Sequence, residues 1–322
     1  KAFSRRRFLH SLGAAAGMLA LPSAVSASGP GAGGRSAANE RITVGCIGVG
    51  NQGRQVMRNF LADSRAQVVA VCDVKQRELD YARQFVDRRY RTSGCRAYAD
   101  FRELIARDDI DAVLIATPDH WHVLCALAAA RAGKDIYLEK PMGLSREEDQ
   151  ALGRAAGQYG TVFQFGTQQR SDPKFRLACE LARNRRIGQL KSVHVWSPVS
   201  GSGGSTAPAA VPEGLDYEMW LGPAPRVPYT EHRCTNVFPD SPDPYKIWPF
   251  ISDYSLGWVA GWGVHPLDIA LWGAGDALAG AFEIEGSGRF PPSRACDTAV
   301  DWALTLRYRT SAVLRFKGTP SA

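Results

Sequence analysis

The sequence predicts an α/β protein in two parts: a doubly wound parallel sheet first, then an α+β domain with a largely antiparallel sheet. Three observations lead there. Gly48-Val49-Gly50-Asn51-Gln52-Gly53 stands between an apolar run, 42–49, and a helical pattern with Val56, Phe60 and Leu61 on one face. From residue 40 to 166, near-continuous apolar runs alternate with amphipathic segments, the mark of strands buried on both faces between helices. Beyond that, the runs alternate polar and apolar, as half-exposed strands do. At 322 residues the chain can fill two cores.

Residues 1–39 precede the first element. Ser4-Arg5-Arg6-Arg7-Phe8-Leu9, a small-residue apolar run over 12–21 and a cleavage site at Val25-Ser26-Ala27 read as a twin-arginine export signal. A basic amphipathic N-terminus is the plainer alternative. The run is too short for a membrane span, so no stable membrane anchor is expected. Residues 28–39 form a Gly-, Ala- and Ser-rich leader. Lys1 is not a start methionine, so the true beginning is expected upstream.

The dinucleotide-binding Rossmann domain is assigned to 40–166. In its first turn Gly48 allows the tight bend and Gly50 lets backbone approach a pyrophosphate. Gly53 lets helix and strand close up, and the helix N-terminus favours the anion. The strand 67–72 ends in Asp73, twenty residues past Gly53. A carboxylate there can bind both ribose hydroxyls of an adenosine and would repel a 2′-phosphate, which selects NAD over NADP. A structural βαβ turn is the alternative. A helix over 81–90, a strand at 111–117, a helix at 121–132 and a strand at 135–138 follow. Ser145-Arg146-Glu147-Glu148 is a capping box opening another helix, and a strand at 161–165 closes the series. Thr117-Pro118-Asp119-His120-Trp121-His122 and Glu139-Lys140-Pro141 both follow strands, so both belong at the carboxyl edge where ligands bind.

Residues 167–322 are assigned to a substrate and oligomerisation domain. A strand at 190–196 leads into a Gly/Ser/Pro/Ala loop at 201–210 and an irregular stretch rich in Pro, Trp and Tyr. A helix near 266–273 and strands at 280–287, 298–308 and 312–317 complete it. The last strand runs almost into Ala322, so the domain is expected to continue beyond it.

The net charge is +7, but residues 1–27 hold four positive charges and no acid, leaving +3 elsewhere. With no arginine patch interleaved with aromatics, nucleic-acid binding is excluded. The seven cysteines form no C-x-x-C pair; Cys46 and Cys72 sit in apolar strands as small hydrophobes. Neither a disulfide framework nor a metal site is expected.

Taken together, Gly48-Val-Gly-Asn-Gln-Gly53, Thr117-Pro118 with His122, Glu139-Lys140-Pro141 and Gly263-Val-His265-Pro-Leu-Asp268 resemble the Gfo/Idh/MocA oxidoreductases over residues 40–322. Asp216-Tyr-Glu-Met-Trp-Leu-Gly-Pro223 is similar to a segment of exported members. The resemblance implies a tightly held NAD and a carbohydrate or cyclitol substrate. It places Lys140 beside the nicotinamide and the reacting hydroxyl, and makes His265 the general acid/base. Such an oxidation must dispose of the hydroxyl proton, which an imidazole can take, while an ammonium steadies charge on the oxygen. Cofactor contacts are expected from Gly48, Gly50, Asn51, Gln52, Gly53, Asp73, Thr117, Pro118, His122, Glu139, Lys140 and Gln168. Arg170, Trp262 and Asp268 are candidates for the substrate, Arg170 being equally readable as a surface residue. Trp248, Trp258 and Trp262 offer flat faces to a sugar or simply fill the core. Family members often carry Asp four residues before the histidine; here that residue is Gly261, which unsettles direct transfer of the dehydrogenase mechanism. Three activities remain open: a carbohydrate dehydrogenase, a redox-neutral glycosidase or epimerase, and a non-catalytic sugar-binding protein that keeps NAD. A second copy of the chain is the expected protein partner. Export of the folded, cofactor-loaded protein is expected, since little free dinucleotide lies outside the cytoplasm.

Overall fold

The computed structural model describes residues 40–235, 247–292 and 295–319; the export-signal reading of 1–39 lies outside them. The first half is a six-stranded parallel sheet in the order β3-β2-β1-β4-β5-β6. Its strands are β1 (Ile42–Ile47), β2 (Ala66–Cys72), β3 (Arg96–Tyr98), β4 (Ala112–Ile115), β5 (Asp135–Leu138) and β6 (Phe163–Phe165). The helices between them are α1 (Asn51–Ala62), α2 (Gln76–Tyr90), α3 (Phe101–Ile105), α4 (Asp119–Arg131) and α5 (Arg146–Tyr159). The order reverses between β1 and β4, and there the crevice opens. One core fills each face. Val56, Met57 and Leu61 of α1 lie on one side, and Val123, Ala126 and Ala130 of α4 on the other.

Two details refine the sequence reading. Strand β3 carries no apolar run; it pairs Arg96 with Ala70 at the sheet's margin, where charge is tolerated. At the start of α5, Ser145 Oγ accepts from the Glu148 amide (3.2 Å), but the Glu148 carboxylate reaches back to Leu144 N (2.7 Å) and not to Ser145.

In the second half, α6 (Pro173–Arg183) precedes β7 (Ser192–Pro198), and two short helices follow, α7 (Tyr217–Leu221) and α8 (Gly257–Gly261). Then come α9 (Val264–Ala274), β8 (Phe282–Arg289), β9 (Asp301–Tyr308) and β10 (Val313–Thr319). The sheet order is β7-β10-β9-β8, parallel at β7–β10 and antiparallel elsewhere. Leu267, Ala270 and Ala274 of α9 pack on one face of it, over Val195, Leu314 and Phe316.

The irregular stretch is not a loose loop. Residues 214–235 form a strap laid across the carboxyl edge of the first sheet. Gln76 N donates to Gly214 O (2.8 Å) and Asp216 N to Val74 O (3.0 Å), while Lys75 Nζ donates to Cys234 O. The Trp121 indole donates to the carbonyls of Met219 and Trp220 (3.1 Å each). Gly222, at φ +52°, rests on that indole so closely that a Cβ would enter the ring.

Candidate functional site

At the switch point the two halves enclose a cavity of about 680 Å³. Its adenosine end is built on the turn after β1. Gly48, at φ +78°, has the backbone of Ala116 and Thr117 where a Cβ would sit (2.6 Å), and a Cβ at Gly53 would run into the Gly48 carbonyl. Both glycines are therefore demanded by space, as the motif requires. Helix α1 starts without a side-chain cap, and Gly50, Asn51 and Gln52 at its N-terminus line the cleft. Asp73 reaches the cavity wall while accepting from the amides of Val49 (2.9 Å) and Lys75 (3.0 Å). Burial raises its pKa; Lys75, the two amides and Arg54 pull it back. Arg54 is held by Glu78, the Val49 carbonyl and Asn51 Oδ1, and stacks on Tyr81 (4.9 Å). The Asn51 side chain is thus partly spent on Arg54.

The opposite end gathers the two strand-end segments. Lys140 Nζ donates to the Gly261 carbonyl (3.0 Å). That contact bears on the Gly261 question: the wall offers Lys140 a neutral acceptor at the position where the resemblance implied Asp. A Cβ at Gly261 would lie 2.9 Å from the Trp258 ring. Glu139 is buried, its pKa raised by burial and countered first by the Gln52 side chain and then by Lys140. His122, 1% exposed, has Nδ1 2.6 Å from Pro141 O and Nε2 2.9 Å from Thr117 O. It touches the wall, but its ring is committed to tying the two segments together. Burial pushes it down to about 4, so the ring is neutral near neutral pH and donates to one carbonyl at a time.

The second half closes the site. Met219, Trp220, Cys234 and Thr235 of the strap reach the wall, as do all three tryptophans, Trp248, Trp258 and Trp262. Trp258 also packs edge-on against Phe250 (5.4 Å), so it serves core and cavity together. Trp262 is 45% exposed, the freest of these flat faces.

Several expected residues stand apart from the cavity. His265 is 4% exposed, edge-on to Trp262 (5.9 Å), and is not on the wall. Burial first, then Lys140, pushes it down to about 4, and its Nδ1 has no hydrogen-bond partner. Gln168 is exposed and off the wall. Arg170 and Asp268 form a two-point ion pair (2.7 Å each), with Arg170 over Trp272 (5.3 Å), also off the wall. Asp119 was not singled out by the sequence, although it lies in the strand-end segment that was. It opens α4, is 5% exposed and sits on the wall with Lys140 and Ser255. A carboxylate right after a strand-end Thr-Pro was the signal available.

The cavity suits a dinucleotide. The glycine cradle has no room for side chains, the first residues of α1 line the cavity with the helix-end field that favours an anion, and the buried Thr117 Oγ1 on the wall has no hydrogen-bond partner. All seven cysteines are buried and free, and among the described residues no cluster of metal-ligating side chains occurs.

Comparisons with known proteins agree. Residues 42–167 match an oxidoreductase family with an NAD-binding Rossmann fold, GFO_IDH_MocA, and residues 193–270 match its C-terminal alpha/beta domain. A glycosyl hydrolase family 109 protein of Saccharopolyspora erythraea is 38% identical over 114 residues, 34% of this chain and 25% of that protein. One from Shewanella baltica is 35% identical over 111 residues, 33% of this chain and 24% of that protein. The matched stretch is thus about a quarter of each curated relative. GenD2 from gentamicin A biosynthesis, solved with NAD, shares the fold at TM-score 0.64 and 22% identity, over 88% of this chain and 68% of that one. The WlbA dehydrogenase of Bordetella pertussis, solved with NADH and UDP-GlcNAcA, gives 0.64 at 19% identity, over 88% and 73%. The scyllo-inositol dehydrogenase of Lactobacillus casei gives 0.59 at 21%, over 88% and 70%.

Proposed function

We propose, for a chain that belongs to the Gfo/Idh/MocA oxidoreductase family and carries its NAD-binding Rossmann domain, the oxidation of a carbohydrate or cyclitol hydroxyl by a tightly held NAD. One observation carries the reading: a single cavity runs from Asp73 to Lys140 and is finished by tryptophans of the second half. When bound, NAD supplies the acceptor for the hydride of the carbinol carbon. The chain does the rest. Asp73 takes the ribose hydroxyls and disfavours NADP. The Gly48–Gly53 turn takes the pyrophosphate, and Thr117, Pro118 and Glu139 line the nicotinamide end. Lys140 holds the reacting oxygen and steadies its developing charge. Trp262 offers its face to the ring of a sugar. The resemblance to the family assigns the hydroxyl proton to His265, which lies behind Trp262 and off the cavity wall.

The test loads the protein with NAD and follows NADH absorbance against a panel of sugars and cyclitols. Reduction by at least one, lost in Lys140→Ala, is expected; no reduction by any overturns the reading. A redox-neutral glycosidase is the second reading, suggested by the glycosyl hydrolase name of relatives matched over only a quarter of their length. It predicts hydrolysis of a nitrophenyl glycoside at constant NADH absorbance. Export rests on the Arg5-Arg6 signature. A reporter fused behind residues 1–40 should leave the cytoplasm and stay inside once both arginines become lysine. A second copy of the chain as partner is checked by light scattering.

A further inference from the structure

The cavity and the imidazole behind its wall do not meet. Trp262 stands between them, on the wall and 45% exposed. His265, 4% exposed, sits edge-on to that indole at 5.9 Å and is off the wall. The imidazole is incomplete in this arrangement, because its buried Nδ1 has no hydrogen-bond partner. A buried polar nitrogen left unpaired is costly, and a group that reached it would relieve that cost.

The indole is lightly held, while the backbone that carries it is not. Its ring contacts are two, both edge-on, to Trp258 (6.5 Å) and to His265, and among the described residues it makes no hydrogen bond. On either side the chain is close packed. A Cβ at Gly261 would lie 2.9 Å from the Trp258 ring, and one at Gly263 would lie 2.1 Å from the Val259 carbonyl. The Gly263 amide donates to Trp258 O (2.9 Å) and the His265 amide to Trp262 O (3.1 Å). The part free to move is therefore the side chain, and half-exposed side chains change rotamer quickly. Lys140 is anchored at the same place, its Nζ on the carbonyl of Gly261, the residue before the indole.

On the oxidoreductase reading above, we propose that Trp262 is a movable cover over His265 and a specificity determinant that selects ring-shaped substrates. A pyranose or cyclitol held at Lys140 stacks on the indole face, replaces its edge-on contacts and turns it aside. The imidazole then opens to the cavity and takes a substrate hydroxyl as the partner it lacks. An open-chain polyol has no flat face to exchange for those contacts and leaves His265 covered. Access to the imidazole thus depends on the shape of what Lys140 holds.

The test treats NAD-loaded full chain with diethyl pyrocarbonate near neutral pH and reads each histidine by peptide mass. His120 and His265 are equally buried at 4%, but His120 is packed among Trp121, Trp220 and Tyr254. With a movable cover, His265 of the wild type reacts ahead of His120 and His122. If it is as slow as they are, the proposal is overturned whether or not a substrate is known. An open state populated at about 0.1–10% admits the reagent only that often, so Trp262→Ala should speed His265 by about ten- to a thousandfold. His120 and His122 should keep their rates, and an unchanged His265 rate overturns the proposal. Where the substitution frees all three, the wild-type order decides. With an oxidised sugar in hand, wild type should prefer ring-shaped to open-chain polyols in kcat/KM. Trp262→Ala should erase that preference, and Trp262→Phe, which keeps a flat face, should restore most of it. No preference in wild type, or one that survives in Trp262→Ala, overturns it. If wild type oxidises no sugar, the functional reading falls and the order of histidine modification still decides the cover.

Discussion

Single residues set both the chemistry and its dependence on pH. Lys140→Ala should lower turnover by about 10²–10⁴-fold with NAD still bound, because nothing else on the wall brings an ammonium to the Gly261 end. Placing at 261 the Asp that the resemblance implied should not help. Gly261→Asp forces a side chain against the Trp258 ring and should cost about 1–3 kcal/mol in thermal or denaturant unfolding. Buried groups pull the pH response in both directions. His120, His122 and His265, at about 4 when folded, take up protons on unfolding between pH 4 and 6.5. Asp119, at about 7 when folded, releases one on unfolding between pH 3.8 and 7. Asp73, Glu139, Asp149 and Asp253, also raised by burial, act in the direction of Asp119, while the share of stability owed to the three histidines rises with pH from about 4 to 6.5. Calorimetry of wild type against His265→Ala across that range isolates one such share: the variant's slope should be lower by about one proton, and an equal slope would contradict it.

At the scale of elements, the site depends on segments being tied to each other. His122 joins the segment after β4 to the segment after β5. His122→Ala removes the one N–H that serves the Thr117 and Pro141 carbonyls in turn and should destabilise by about 1–3 kcal/mol. It should also lower kcat more than it weakens NAD binding, as titration and steady-state kinetics together would show. The elements themselves were largely legible, for physical reasons. Strands buried on both faces write themselves as apolar runs, so β1, β2, β4 and β5 were evident; the glycine turn was legible because Gly48 and Gly53 have no room for a side chain. Strand β3, held by pairing to β2, left no such trace. The site was legible where a strand end dictates position, as at Asp73, Thr117 and Lys140. It was not where long-range packing decides. Nothing in the sequence said that Asp268 would be claimed by Arg170, that His265 would lie behind Trp262, or that Asp119 would be buried on the cavity wall.

For the whole molecule, the strap matters most. It is tied to the adenosine side through Val74–Gln76 and to the other end through Trp121, and Met219, Trp220 and Cys234 of it line the cavity, so release of a dinucleotide is expected to depend on it. Gly222→Ala should lift it from the Trp121 indole, and NAD release, read by NADH fluorescence on dilution, should quicken by tenfold or more; an unchanged rate would show that the strap does not gate exit. The two ends of the Lys75–Cys234 contact are 159 residues apart in the chain. On a ribosome adding about 5–20 residues per second, the Rossmann edge stands uncovered for roughly 8–30 s before the strap can dock. Loading is easiest in that interval, when the nascent first half can meet cellular NAD with nothing in the way. Chain refolded with NAD present should then come out charged, and chain refolded without it should fill slowly afterwards. The strap would make cofactor acquisition an event of the protein's birth.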